Sequence, residues 1–391
     1  MQSAVHRAVK RRRAPKPAAP CGIPQAVWTP NRKDFVTRSV RFFLMMLVTL
    51  AGADDALGQR VAKYGADFLA GGVGARALGM GGAFISVADD VYAGFWNPAG
   101  LPEVDAREVS YMHAERFSGI VSFDYTGFAV PFSDRSVLGV SLIRSGVNDI
   151  KNTLDAWDAE RDQPIPDPES AITTFSAADY ALLVAYGKRV TKAFSFGVTS
   201  KIIRRNIGAF ATAWGYSMDI GVRYRTPSWH LGATVQDVTT MLQSWSVDTD
   251  RLAAIQDVFG DDLPEGGTEL VLPVLRLGAS RLMDVRPGLL RLAMDMDLSF
   301  DGATSYTLSL GSMAMHPRLG AELVVADRVA FRAGFNRIQF VDGEGIDLTP
   351  SVGTGFRWGR AALDYGFGDF AGLVSDLGYS HRISAQYRFA D

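Results

Sequence analysis

The 391 residues are 47% hydrophobic, 21% charged and 11% aromatic, with 40 glycines and a formal net charge of −2. The longest apolar run, Phe42 to Ala53, falls well short of the ~20 residues a membrane-spanning helix needs, so helical spans are excluded. Enzymatic, metal and cofactor chemistry also lack support: His6, His113, His230, His316 and His381 have no ligand spacing, and Cys21 is the only cysteine. No G-x-S-x-G elbow or phosphate-binding loop occurs.

Taken in chain order, the first 41 residues hold ten Lys or Arg against one acid, Asp34, so the near-neutral total hides a basic start and an acidic remainder. A basic arm of this kind also suits nucleic-acid binding, but the residues after it favour export, and no nucleic acid is expected. Arg38 and Arg41 precede the apolar run Phe42-Phe43-Leu44-Met45-Met46-Leu47-Val48, and the small residues Ala56 and Gly58 then flank a cleavage point before Gln59. That is the layout of a signal peptide. Residues 1–58 are accordingly read as a basic extension plus signal peptide, with residues 1–35 either an over-extended reading frame, initiation then lying near Val36, or an unusually long n-region.

Residues 64–104 do not alternate between apolar and polar. Gly72, Gly74 and Ala77 satisfy the loose G-x-G-x-x-G/A pattern, but no strand precedes it and no βαβ unit surrounds it, which makes a chance match the better account. Asn97-Pro98-Ala99-Gly100 has the residues of a turn.

From Arg107 the period becomes two, the spacing at which successive side chains point to opposite faces of a strand. Tyr216, Met218, Ile220, Val222 and Tyr224 alternate with Ser217, Asp219, Gly221, Arg223 and Arg225. Leu290, Leu292, Met294 and Met296 alternate with Arg291, Ala293, Asp295 and Asp297, and Ile383, Ala385 and Tyr387 with Arg382, Ser384 and Gln386. About fourteen such segments are expected over 105–391, joined alternately by short turns and longer loops, the longest at 146–178 and 238–268. A soluble sandwich has no reason to segregate its connections in this way. The pattern predicts an all-β, antiparallel outer-membrane barrel, surrounded by lipid, with both termini on the periplasmic side. The polar face supplies the candidate lumen lining: Asp219, Arg223, Arg291, Asp295, Asp297, Glu322, Arg332 and Asp364. A short amphipathic helix is expected at Asp250–Phe259 in the second long loop.

The run Gly74-Ala75-Arg76-Ala77-Leu78-Gly79-Met80-Gly81-Gly82-Ala83-Phe84, then Val87-Ala88-Asp89-Asp90 and Trp96-Asn97-Pro98-Ala99-Gly100-Leu101, resembles the start of PorV/PorQ-family outer-membrane proteins, themselves similar to FadL-like transporters. Leu363-Asp364-Tyr365-Gly366 and the terminal Tyr387-Arg388-Phe389 resemble the same family. The resemblance implies a fourteen-stranded barrel with an N-terminal hatch or plug at 59–104, whose turn is Asn97–Gly100. It also implies a role in type IX secretion, with exported cargo docked on the outer loops. The alternative it implies is a FadL-like passive channel for hydrophobic solutes.

Overall fold

The computed structural model describes residues 67–390 apart from 118, 159, 160, 162, 250–265, 301–307, 311, 312, 342–344 and 370–378. The expected signal segment and the expected helix at 250–259 lie outside the described residues.

The strands are β1 (Glu108–Arg116), β2 (Val121–Ser133), β3 (Ser136–Asn152), β4 (Trp157–Asp158), β5 (Gln163–Pro164), β6 (Thr173–Arg189), β7 (Phe194–Ile207), β8 (Ala211–Arg225), β9 (Trp229–Gln236) and β10 (Met241–Val247). There follow β11 (Thr268–Val271), β12 (Val274–Val285), β13 (Gly288–Ser299), β14 (Leu308–Leu310), β15 (Met313–Val325), β16 (Val329–Val341), β17 (Gly345–Trp358), β18 (Ala361–Asp369) and β19 (Tyr379–Arg388). Among the described residues, all but the small β4–β5 hairpin join one 17-stranded sheet. β9 and β10 both pair with β8, as two halves of one stave broken at Asp237–Thr240, and their partners β12 and β11 are broken likewise. β14 is a short strand beside the start of β15. The wall therefore has fourteen antiparallel staves.

β1 pairs with β19 from Glu108↔Arg388 to Glu115↔His381, so first and last staves meet and no edge is left. In hydrocarbon every backbone N–H and C=O needs an internal partner, which only a closed sheet supplies to strands. The two faces sort as that solvent demands. Tyr216, Ile220, Val222 and Tyr224 point outward and are exposed, whereas Ser217, Asp219 and Arg223 between them are buried. The same division holds for exposed Leu292 and Met294 against buried Arg291 and Asp295, and for exposed Ile383 and Tyr387 against buried Arg382 and Ser384.

Short turns close one end of the barrel, at 134–135, 190–193, 226–228, 286–287, 326–328 and 359–360, in the alternation expected. The opposite end differs. β7 runs to Ile207 and β8 resumes at Ala211, while β16 runs to Val341 and β17 resumes at Gly345. β3 and β6 stay paired out to Asn152↔Thr173. Beyond the bilayer a hairpin needs no apolar face, so residues such as Asn152, Thr173 and Thr174 extend the ladder without the alternation that marks a strand.

Residues 67–104 contain short helical turns at Asp67–Ala70, Ala75–Gly79 and Ala93–Trp96 and a 3₁₀ turn at Pro98–Glu103. They form no separate plug domain. Val73, Phe84, Ile85, Trp96 and Leu101 join a single apolar cluster with Met112, Phe123, Tyr125, Ile143 and Leu183 of the strands. A stretch of this length buries too little surface to hold a core alone, and the strands complete it.

Candidate functional site: the inner wall and the segment against it

Interior glycines let residues 78–101 lie directly on the wall. A Cβ at Gly197 would sit 2.3 Å from the Pro98 carbonyl carbon, one at Gly221 2.2 Å from Asn97 Oδ1, and one at Gly334 2.3 Å from the Met80 carbonyl carbon. No real Cβ tolerates such distances, so contact between segment and strands depends on these positions lacking one. Gly72 and Gly74, the positions of the dinucleotide-like pattern, have φ of +66° and +91° and pack on Trp96 and Tyr92. These glycines serve a backbone turn against aromatic rings, and the helical turn at Ala75–Gly79 follows the turn Asp67–Ala70 where a pyrophosphate site requires a strand.

The expected turn at Asn97–Gly100 is a hub of polar contacts. Asn97 Oδ1 accepts from Ala99 N–H at 3.1 Å, and Nδ2 donates to the carbonyls of Ile85 and Val222 at 3.1 and 3.2 Å. Pro98 opens the 3₁₀ turn, where its missing N–H costs nothing. Ser195 Oγ donates to the Ala99 carbonyl at 2.6 Å, and Gly100 passes so close to the Ala88 carbonyl that a Cβ would lie 2.2 Å from its oxygen.

All eight residues assigned to the polar face are buried on it. Four belong to one network centred on Arg76. The Arg76 guanidinium reaches Glu322 Oε1 and Oε2 at 2.8 and 2.9 Å and Asp89 at 2.6 Å. Glu322 also accepts from Arg332 at 2.8 Å, and Arg332 from its other side reaches Asp364 at 2.7 Å. Arg291 lies 3.6 Å from Asp89 and 3.9 Å from Glu322, and Arg223 donates to the Ala88 carbonyl at 2.8 Å. Asp295 accepts the Phe84 and Ile85 amides at 2.6 and 2.8 Å. The other two stand apart: Asp297 pairs with Arg318 and Arg276 at 2.6 and 3.4 Å, and Asp219 with Lys201 at 2.8 Å. Lys201 also reaches Asp237, at 2.6 Å, where the stave of β9 and β10 breaks.

On the segment itself, burial pushes the Asp89 carboxyl up, but Arg76, Arg291 and Arg223 outweigh it and hold Asp89 well below the usual carboxylate range. Asp90 behaves oppositely. Burial, reinforced by the neighbouring Glu108 carboxylate, pushes it up to about 7.

Sequence reasoning left out Arg76, Asp89, Lys201, Arg276 and Arg318. Lys201 and Arg276 carried a usable signal, Lys201 in step with Thr199 and Ile203 and Arg276 in step with Gly278 and Ser280 on one strand face. It also left out an apolar part of the inner wall. Met112, Phe123, Ile143, Leu183, Ile203 and Met241 are each at most 1% exposed and face inward across β1, β2, β3, β6, β7 and β10. Their strands are apolar on both faces in places, as in Ala181-Leu182-Leu183-Val184-Ala185, so alternation could not identify an inner side. Among the described residues, no group of three His, Cys, Asp or Glu could hold a metal ion.

No protein-family model matches the chain, and no curated protein matches it. Solved structures do. CymD, a monoaromatic hydrocarbon channel, superposes with a TM-score of 0.52 at 12% identity, covering 82% of this chain and 98% of its own. The Pseudomonas putida toluene transporter TodX gives 0.52 at 13%, covering 81% and 96%. The Ralstonia pickettii toluene transporter TbuX gives 0.50 at 15%, covering 83% and 100%. At these identities the likeness establishes the fold.

The expected PorV/PorQ membership is corrected by these results, and with it the type IX secretion and cargo-attachment role. The residues that carried that resemblance have a packing explanation. Gly79, Gly81 and Gly100 mark close approaches of backbone to wall or to the segment itself, and Asn97 ties the turn in place. Such residues follow from folding a chain against the inside of a barrel and do not specify a secretion partner.

Proposed function

We propose that this chain is a passive outer-membrane channel for hydrophobic small molecules, with monoaromatic hydrocarbons as the first class to examine. The observation that carries the reading is the apolar inner wall of Met112, Phe123, Ile143, Leu183, Ile203 and Met241, in a barrel whose remaining interior is charged. A wet pore needs no such wall, since barrel interiors are ordinarily polar. Residues 67–104 act as the hatch, because they cover this wall with Phe68, Leu69, Val73 and Phe95 and are pinned by the charged network opposite. The eight polar residues then line the lumen as anchors of the hatch, and the solute follows the apolar side once the hatch shifts. Short turns and both chain ends face the periplasm, and residues 1–58 are an export signal with its extension.

The test is uptake of radiolabelled toluene by intact diderm cells, in which the outer membrane is the barrier. Cells expressing the chain should take it up faster than cells without it, and a Met112→Gln variant should fall back toward the control. Equal uptake with and without the chain would overturn the reading.

A further inference from the structure

The outer surface has a concavity where a lipid-facing wall should be a smooth apolar belt. Beside the last short turn, Ala361 of β18 and Ala385 of β19 form a floor between the large side chains of Phe356 and Trp358 on one flank and Tyr111 and Tyr387 on the other. The groove measures ≈ 550 Å³ and is almost wholly apolar. Pairing explains its shape: Ala361 lies opposite Tyr387, and Ala385 opposite both Leu363 and Tyr111, so two small residues on adjacent staves share the outward face among large ones. Its volume is within the ~300–1,000 Å³ of small-molecule sites. Trp358, 82% exposed, and Tyr387 stand at its turn end, where aromatic residues meet headgroups.

Two arginines stand at the same end. Arg107 continues the outward face of Val109 and Tyr111, and Arg360 occupies the turn that precedes Ala361. Their carbonyls accept from Phe389 N–H at 2.8 Å and Arg388 N–H at 2.9 Å, which fixes both backbones against the end of β19. Both side chains are exposed, and among the described residues neither makes an ion pair. The surrounding rim holds more bases than acids, because Arg135, Lys192, Arg286 and Arg328 occupy four of the other five short turns against Asp134 and Asp327. At the opposite end the described loops expose acids such as Asp149, Asp155, Asp167, Glu169 and Asp248. The barrel is thus charge-polarised along its axis.

We propose that this groove binds an anionic phospholipid, with one acyl chain lying over Ala361 and Ala385 and the headgroup phosphate held by Arg107 and Arg360. An apolar groove alone would accept any acyl chain. The pair of unpartnered arginines at one end, on the basic rim, selects a lipid of net negative charge. The proposal concerns the outer face and does not rest on the channel reading.

Native mass spectrometry of the full-length mature chain, with equal amounts of phosphatidylglycerol and phosphatidylcholine of matched acyl chains, tests it. Phosphatidylglycerol should be retained preferentially, by about fivefold for each arginine. R107Q with R360Q should bring its retention down to that of phosphatidylcholine, and R107K with R360K should keep the preference, which separates lost charge from lost fold. Ala385→Trp, which fills the floor, should reduce both lipids. Equal retention of the two lipids by the unaltered protein would overturn the proposal. So would an unchanged ratio in the double Gln variant, or an equal fall in R286Q at a distant turn.

Discussion

Arg76 and Glu322 are 246 residues apart in sequence, yet the guanidinium meets both oxygens of the carboxylate, at 2.8 and 2.9 Å. Both groups are almost fully buried, and Glu322 is shared with Arg332. This pair is one of the direct bonds between the segment at 67–104 and the polar wall. Glu322→Gln should therefore leave two buried guanidiniums short of charge and destabilise the protein by about 3–5 kcal/mol. Arg76→Met should cost less, because Arg332 still serves Glu322. Thermal unfolding in detergent, with the double variant closing the cycle, measures both, and equal costs would contradict the shared arrangement.

Gly221 and Gly267 make a matched pair for testing the close approach of segment to wall. Gly221→Ala would drive a methyl into Asn97 and should destabilise by about 1–3 kcal/mol, with faster proteolysis within 67–104. Gly267→Ala meets nothing within 4 Å and should be neutral. Limited proteolysis and thermal unfolding of the two variants check the difference.

Asn97 offers a sharper test of the turn. Asn97→Asp keeps the acceptor used by Ala99 and loses the donor to Ile85 and Val222, so it isolates that contact with the wall. The expected cost is about 1–3 kcal/mol, the penalty for leaving buried carbonyls unsatisfied, with an added penalty for a buried charge above neutral pH. Asn97→Ala, losing all three bonds, should cost at least as much in chemical unfolding.

Asp90 should make the segment at 67–104 pH-sensitive. Its pKa is raised in the folded state to about 7 from an ordinary value of 3.8, so the folded protein binds the proton more tightly than the unfolded chain. The contribution of this group to stability is fully present below about pH 4, falls as pH rises from there to about 7, and is flat above. Asp89 acts with the opposite sign, and its contribution is lost only as pH falls below the ordinary carboxylate range. Hydrogen exchange of residues 88–95 should therefore speed up between pH 5 and 8 beyond its intrinsic dependence. Asp90→Asn should remove that excess, and its persistence would count against the assignment.

Lys201 sits between Asp219 and Asp237 at the broken stave. Lys201→Met should leave two buried carboxylates facing each other, at a cost of about 3–5 kcal/mol in thermal unfolding. Met in place of both Lys201 and Asp219 should recover part of it.

The barrel was legible because alternation is a local property. Tyr216 to Tyr224 and Leu290 to Leu298 announce their lipid-facing sides, and the turns at 134–135 and 359–360 stand between such runs. Strand ends beyond the bilayer were not legible, since water imposes no alternation on Asn152 or Thr173. The pattern placed the polar residues from Asp219 to Asp364 on the face that is buried, but it could not name their partners. The Gly-rich segment was read through a resemblance that its packing role explains equally well, and the secretion role that came with it did not survive comparison with solved structures.

By itself the sequence determined where the alternating parts of the strands lie, which face of those parts is apolar, and that the sheet must close to live in hydrocarbon. Tertiary structure alone decided what the interior contains. Closure through β1 and β19 and the register of each stave bring Arg76 to Glu322, Asp295 to the Phe84 and Ile85 amides, and Lys201 to Asp219 and Asp237. It also gathered Met112, Phe123, Ile143 and Leu183 from four staves into one apolar wall. The reason is physical: alternation fixes the side of the sheet on which a residue lies, whereas its neighbours across the lumen depend on stagger summed around the whole barrel.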